Sequence, residues 1–346
     1  MTLPKIKITP LLDTLYLSKI SDEEYFSVKY SNYISNSRLG LLNPQQGGSP
    51  EQFFSGFKPI YSSSLSIGSA VHGICLQPEA FNIVDSVDLP TGKMGILAEE
   101  LFKTWQGSIP TSEDIISVAK KIDYYGGNLS PKRIEEVKEK CKDFWVAKTR
   151  YLRTRKEDSK ADLYLDPKSR ETAYNCIRAI ENSKSIQELL HPKSEFGDIV
   201  SENEQAILLN ILVEIPELEA KFQLRLKSKV DNYTLDSFNN ILCCNDIKTL
   251  GKIVSEMKSN IDKYHYNREL AMYSWLLSLV AKKFYNVDNP TIQGNYLVVS
   301  TIPQYYTKVV PMTKKMYAEG WNEFISLLKL AAYYVATEYK DFGIWI

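Results

Sequence analysis

The chain has 346 residues, 44% of them apolar and 24% charged, and its 42 Lys plus Arg balance 42 Asp plus Glu for a formal net charge of zero. That composition is ordinary for a folded globular protein and excludes a generally basic surface, so any polyanion-binding face must be local. Its five cysteines include no CxxC pair, which argues against a disulfide framework, a zinc ribbon or an iron–sulfur cluster and suits a reducing, cytoplasmic setting.

Taken in chain order, Met1-Thr2-Leu3-Pro4-Lys5 leads into mixed polar sequence, so no signal peptide is expected, and no apolar run reaches the length of a membrane span. Residues 1–30 read as a lightly structured arm. Residues 33–39 lead into a short helix, and 43–56, with Pro44, Gly47, Gly48 and Pro50, read as a loop. Ser62 to Ser64 offers an N-cap for a helix over about 65–76, with Ile67, Ala70, Val71 and Ile74 on its apolar face. His72 falls on another face, with Gly68 one turn earlier. Residues 92–192 read as a mostly helical elaboration, with one helix starting at Ser130-Pro131 and another running over about 167–190. Its most basic stretch, 150–156, carries Arg150, Arg153 and Arg155. There is no internal repeat and no low-complexity linker, so the expectation is a single domain over 1–346.

From 196 to 346 the pattern changes to the sheet and closing helices of a core. Residues 206–215 are apolar and β-rich. Phe222, Leu224 and Leu226 alternate with Gln223, Arg225 and Lys227, the signature of a half-buried strand. Residues 236–240 read as a turn and 241–248 as the next strand. Helices are expected over 253–261 and 264–282, a hairpin around Pro303, and a closing helix over 316–339. The order of elements gives a mixed α/β fold.

Chemistry concentrates in Asp246-Ile247-Lys248. Residues two apart on a strand share a face, so Asp246 and Lys248 point the same way at the end of an apolar strand. Either they satisfy each other as an ion pair or they belong to a site. Asp231 lies fifteen residues before Asp246 in sequence, and a hairpin between them would bring both acids to one sheet edge. Carboxylates and a backbone carbonyl suit a hard divalent cation. Water activated by such a cation hydrolyses phosphodiesters, and a neighbouring lysine can orient or deprotonate that water and offset phosphate charge.

This D…D-x-K arrangement resembles the PD-(D/E)xK nuclease superfamily. Three further stretches are similar to the RecE-type exonucleases, relatives of lambda exonuclease. Gly68-Ser69-Ala70-Val71-His72 with Pro78-Glu79-Ala80-Phe81 looks like their "G-[ST]-A-x-H … P-x-x-F" helix. Ser35-Asn36-Ser37-Arg38-Leu39 with Ser49-Pro50-Glu51-Gln52-Phe53 looks like their "S-x-S-x-L … S-P-x-x-F/Y" segment. Tyr266-Asn267-Arg268-Glu269-Leu270-Ala271-Met272-Tyr273 looks like their "Y-x-x-Q-x-x-x-Y" helix.

The resemblance implies a restriction-endonuclease-like α/β core and a Mg2+-dependent deoxyribonuclease, with Mn2+ as the alternative ion. Asp231, Asp246 and the Ile247 carbonyl would hold the ion, with Glu204 as an upstream acid. Lys248 would position water, and His72 would stand by the metal or the scissile phosphate. Tyr266, Glu269 and Tyr273 would flank the site and contact DNA, and Arg150, Arg153 and Arg155 are the candidate phosphate-contacting stripe. The implied activity is 5′-to-3′ digestion of one strand from double-stranded DNA ends in recombination or repair. The implied partners are a single-strand annealing protein and further copies of the chain, in a bacterial or phage-infected cytosol, with no membrane. Gln77 stands where the family often has Glu, and Glu269 where it usually has Gln. Those departures keep a catalytically weak DNA-binding scaffold open beside an endonuclease of the same superfamily.

Overall fold

The computed structural model describes residues 3–55, 63–85, 92–105, 110–154, 161–193 and 199–346. The chain divides into two compact units, Met1–Lys58 with Ile180–Ile346, and Pro59–Ala179.

The strands in chain order are β1 (Lys7–Lys19), β2 (Phe81–Asp85), β3 (Ala161–Leu165), β4 (Ile199–Ile215), β5 (Ala220–Asp236), β6 (Ile241–Leu250), β7 (Thr291–Ser300), β8 (Thr307–Pro311) and β9 (Ile344–Trp345). Seven of them form the sheet of the first unit, in the order β1-β4-β5-β6-β7-β8 with β9 on β5. Every neighbouring pair is antiparallel except β6 with β7. A parallel pair needs a long crossover, here the helices Met257–Tyr264 and Tyr266–Tyr285. The first half of β5 behaves as its period-2 pattern dictates: Phe222, Leu224 and Leu226 are buried, whereas Gln223 and Arg225 are only half-buried. Those apolar residues join Leu270, Leu277, Phe324 and Leu328 in one core, contributed by the crossover helix Tyr266–Tyr285 and the closing helix Lys314–Thr337.

The second unit is mainly helical. Thr111 and Asp114 form a capping box that starts the helix Ser112–Lys121. Its apolar face meets the helices Gly92–Trp105 and Pro131–Thr154 around buried Leu97, Leu101, Ile115, Val137 and Trp145. The Trp145 indole N–H, which needs a partner when buried, donates to the Ala98 carbonyl at 3.0 Å. β2 and β3 pair in parallel as a separate two-stranded sheet.

Several expectations are corrected. The stretch 1–30 is not a loose arm: β1 pairs with β4 from Lys7↔Glu214 to Lys19↔Gln205. Its strand signal is obscured by Pro10, which only an edge strand accommodates, and by a register shift between Leu11 and Tyr16. The second unit, Pro59–Ala179, takes in the helix Ser63–Leu76 together with most of the 92–192 stretch. The long helix expected over 167–190 is two, Pro167–Glu181 and Lys184–Leu190, and the strand expected from 206 begins at Ile199. Asp231 lies within β5, which continues to Asp236. Among the described residues, no helix is long and apolar enough to cross a membrane.

One crossing in the first unit tolerates no added atom. A Cβ on Gly320, in the closing helix, would stand 2.1 Å from the backbone oxygen of Asn267. Gly320→Ala must push two packed helices apart, so urea denaturation should show a loss of about 1–3 kcal/mol, the range for overpacking. An unchanged midpoint would mean that the helices are not in contact there.

Candidate active site where two strands part

β5 and β6 pair from Asp236↔Ile241 to Asn232↔Asn245 and no further. Past that rung β6 stays with β7 while β5 stays with β4. Further along, Ile34 takes the vacated edge of β5, donating to the Arg225 carbonyl and accepting from the Lys227 N–H. Asp231 and Asp246 are the first residues inside the resulting fork.

The Asp231 side chain replaces the missing strand partner: its Oδ2 accepts the Ile247 N–H at 2.7 Å. The N–H and C=O of one residue leave a strand on the same side, so the Ile247 carbonyl is directed into the fork as well. Glu204, on β4, faces Asp231 across the sheet between the rungs Asn203↔Asn232 and Gln205↔Val230. A carboxylate oxygen of Glu204 and one of Asp231 lie within 4.8 Å of each other. Glu204 has φ of 53°, a left-handed conformation that a non-glycine residue adopts at a cost of roughly 1–2 kcal/mol. It contributes no ladder rung there, and its Oε2 meets Lys229 Nζ at 2.9 Å, while the same amine reaches Asp22 Oδ1 at 2.5 Å.

Asp246 is 2% exposed. Its Oδ1 accepts from Lys248 Nζ at 3.0 Å. Its Oδ2 lies 2.9 Å from the same amine and is buried without a hydrogen-bond donor of good geometry among the described residues. Burial pushes the Asp246 carboxyl up to about 8, and the charges of Asp231 and Glu269 add to that rise while Lys248 opposes it. Lys248 Nζ also meets Glu269 Oε2 at 3.1 Å and stands 4.8 Å from the centre of the Tyr266 ring. Burial disfavours the charged amine, but Asp246, Glu269 and Asp231 outweigh it and hold Lys248 well above the ordinary lysine range. The Tyr273 hydroxyl donates to Glu269 Oε1 at 3.2 Å. Thus Tyr266, Glu269 and Tyr273, on the helix Tyr266–Tyr285, form a linked group around Lys248.

Asp231, Asp246 and Glu269 surround one lysine, an excess of negative charge in a buried place. Glu204 and Asp231 bring carboxylate oxygens within 4.8 Å of each other, the Ile247 carbonyl is directed into the same fork, and the buried Asp246 carboxylate stands one residue before it against Lys248. These residues fit a divalent cation of the Mg2+ or Mn2+ type.

His72 is half-buried on the helix Ser63–Leu76 of the second unit. Arg155 lies outside the described residues, as do the side chains of Arg150 and Arg153. Sequence reasoning missed Lys229, whose alternation with Asp231 on β5 was a usable signal, and the asparagines beside the acids, Asn203, Asn232 and Asn245.

No family model matches the sequence, and no curated protein matches it. Among solved structures, the chain is similar to a Eubacterium rectale protein described as a "putative exonuclease", at 11% identity and a TM-score of 0.43, over 91% of this chain and 87% of that one. A likeness of that size assigns neither a fold family nor an activity.

The raised Asp246 carboxyl has a consequence for stability. In metal-free protein the folded state holds a proton that the unfolded chain releases near the ordinary carboxylate value, so between that value and about 8 the ionisable Asp246 loses stability as pH rises. Asp246→Asn removes this slope. Melting followed from pH 4 to 8 in EDTA should show the variant gaining on wild type as pH increases. Parallel curves would mean that Asp246 is ionised throughout.

Proposed function

We propose that the chain is a metal-dependent deoxyribonuclease with a PD-(D/E)xK type of site. The observation that carries this reading is the convergence of Asp231, Asp246 and Lys248 where β5 and β6 part, with the Asp246 carboxylate buried against Lys248. Asp231, Asp246 and the Ile247 carbonyl would hold Mg2+ or Mn2+, with Glu204 as the further acid. Such an ion, when bound, makes water more acidic and offsets negative charge at a scissile phosphate.

The protein's own groups divide the rest of the work. Lys248, held between Asp246 and Glu269, stays protonated, so its part is to attract and orient the phosphate and the attacking water rather than to remove a proton. Glu269 and the Tyr266 ring keep its amine in place, and Tyr273 in turn holds Glu269. Polarity from 5′ to 3′, 3′ tails as products, a single-strand annealing partner and assembly of several copies rest on the sequence resemblance.

The deciding experiment is digestion of linear against covalently closed circular duplex DNA with Mg2+, wild type beside Lys248→Ala and Asp246→Asn. We expect loss of linear DNA only, reduced by about 10²–10³-fold or more in each variant, the scale for losing one electrostatic catalytic group. Nicking of the circle would make the enzyme an endonuclease. Cleavage of neither, with DNA binding retained, would mean a scaffold in which Asp246 and Lys248 are a structural ion pair.

A further inference from the structure

Behind the fork runs a row of asparagines. The register Asn203↔Asn232↔Asn245↔Asn295 puts one on each of β4, β5, β6 and β7. Their amides form a head-to-tail chain: Asn295 Nδ2 donates to Asn245 Oδ1 at 3.0 Å, Asn245 Nδ2 to Asn232 Oδ1 at 2.7 Å, and Asn232 Nδ2 to Asn203 Oδ1 at 2.8 Å. Spare donors are used as well, with Asn245 Nδ2 reaching the Leu189 carbonyl and Asn232 Nδ2 reaching Ser201 Oγ. Asn232 and Asn245 are wholly buried.

Three of the four adjoin an acid in sequence. Asn203 precedes Glu204, Asn232 follows Asp231, and Asn245 precedes Asp246. Successive side chains on a strand point to opposite faces, so the amides stand directly behind the three acids. The Asn232–Asn245 contact sits on the last rung before β5 and β6 separate.

Burial alone would favour apolar residues here, because a buried amide must find partners for every donor and acceptor. An apolar row also accepts a slipped register, whereas a chain of amides is satisfied in one alignment only.

We propose that Asn232 and Asn245, with Asn203 and Asn295 extending the chain, are positioning residues. They fix the point at which β5 and β6 part and so hold Asp231, Asp246 and the Ile247 carbonyl at the spacing a divalent cation needs. This rests on the metal-site reading above. The device acts through the ligands, as supporting hydrogen bonds around a metal commonly do, and the loss of such support typically weakens metal affinity by roughly 10–100-fold.

The test uses the full chain as wild type, Asn232→Leu, Asn245→Leu and the double variant. The readouts are Mn2+ binding by electron paramagnetic resonance, the Mg2+ dependence of cleavage, the KM for DNA, and Tm. Each single variant strands a buried partner and should melt lower. The double variant removes both partners of the central bond, so it should melt higher than the sum of the two single losses predicts, although Asn295 Nδ2 and Asn203 Oδ1 still lose their bonds to the row. It should still bind Mn2+ about 10–100-fold more weakly, with the DNA KM unchanged. A double variant that regains both Tm and Mn2+ affinity would overturn the proposal and leave the row a stability element. Wild type that binds no Mn2+ would remove the metal-site reading, and this proposal with it. Should the double variant not fold, Asn295→Leu, at the far end of the row, is expected to raise the Mg2+ requirement by about 3-fold or more, a fraction of the loss at the central bond, and an unchanged requirement overturns the proposal.

Discussion

Everything at the candidate site depends on a pair of strands that stop pairing. In a continuous sheet, backbone donors and acceptors are consumed by the neighbouring strand. Where β5 and β6 diverge past Asn232 and Asn245, the Ile247 N–H loses that neighbour, and Asp231 supplies the acceptor instead. The same divergence points the Ile247 carbonyl inward and leaves room for Asp246, one residue before it. The fork opens because, past that rung, β6 follows β7 while β5 follows β4.

The electrostatics follow from this backbone geometry. Carboxyl groups that would repel one another are brought together in a dry place, and one lysine is set among them. Such a cluster is expensive without further cations, so its retention favours a functional reason over a structural one. Lys248 is restrained from several sides, by Asp246, by Glu269 and by the Tyr266 ring, which limits both its rotamers and its proton exchange.

Much of this was legible before any coordinates. The two-residue spacing of Asp246 and Lys248 is a property of any strand, and the spacing of Tyr266, Glu269 and Tyr273 is a property of any helix; both groups converge as their periods require. The turn at 236–240 announced the hairpin joining Asp231 to Asp246. What stayed hidden depends on register and on distant partners. The asparagine row exists only when four strands are aligned, so no local window reveals it. β1 was hidden by Pro10 and a bulge, because its strand character comes from its pairing with β4 rather than from its own sequence. The division at Pro59 and Ala179 is likewise a matter of which residues touch, with no linker composition to mark it.

That division constrains how the molecule is made. The first unit is split in sequence, with the second unit intervening between Lys58 and Ile180. Lys7 on β1 must wait for Glu214 on β4 before either edge is satisfied. Contacts so remote in sequence slow the search for the native state, and on the ribosome the helical insertion emerges before the sheet can close. The fork between β5 and β6 is therefore assembled late, from segments made after an independent hydrophobic nucleus has had time to form. A chain stalled before β5 would display β4 with a long unpaired edge, the kind of edge that invites aggregation.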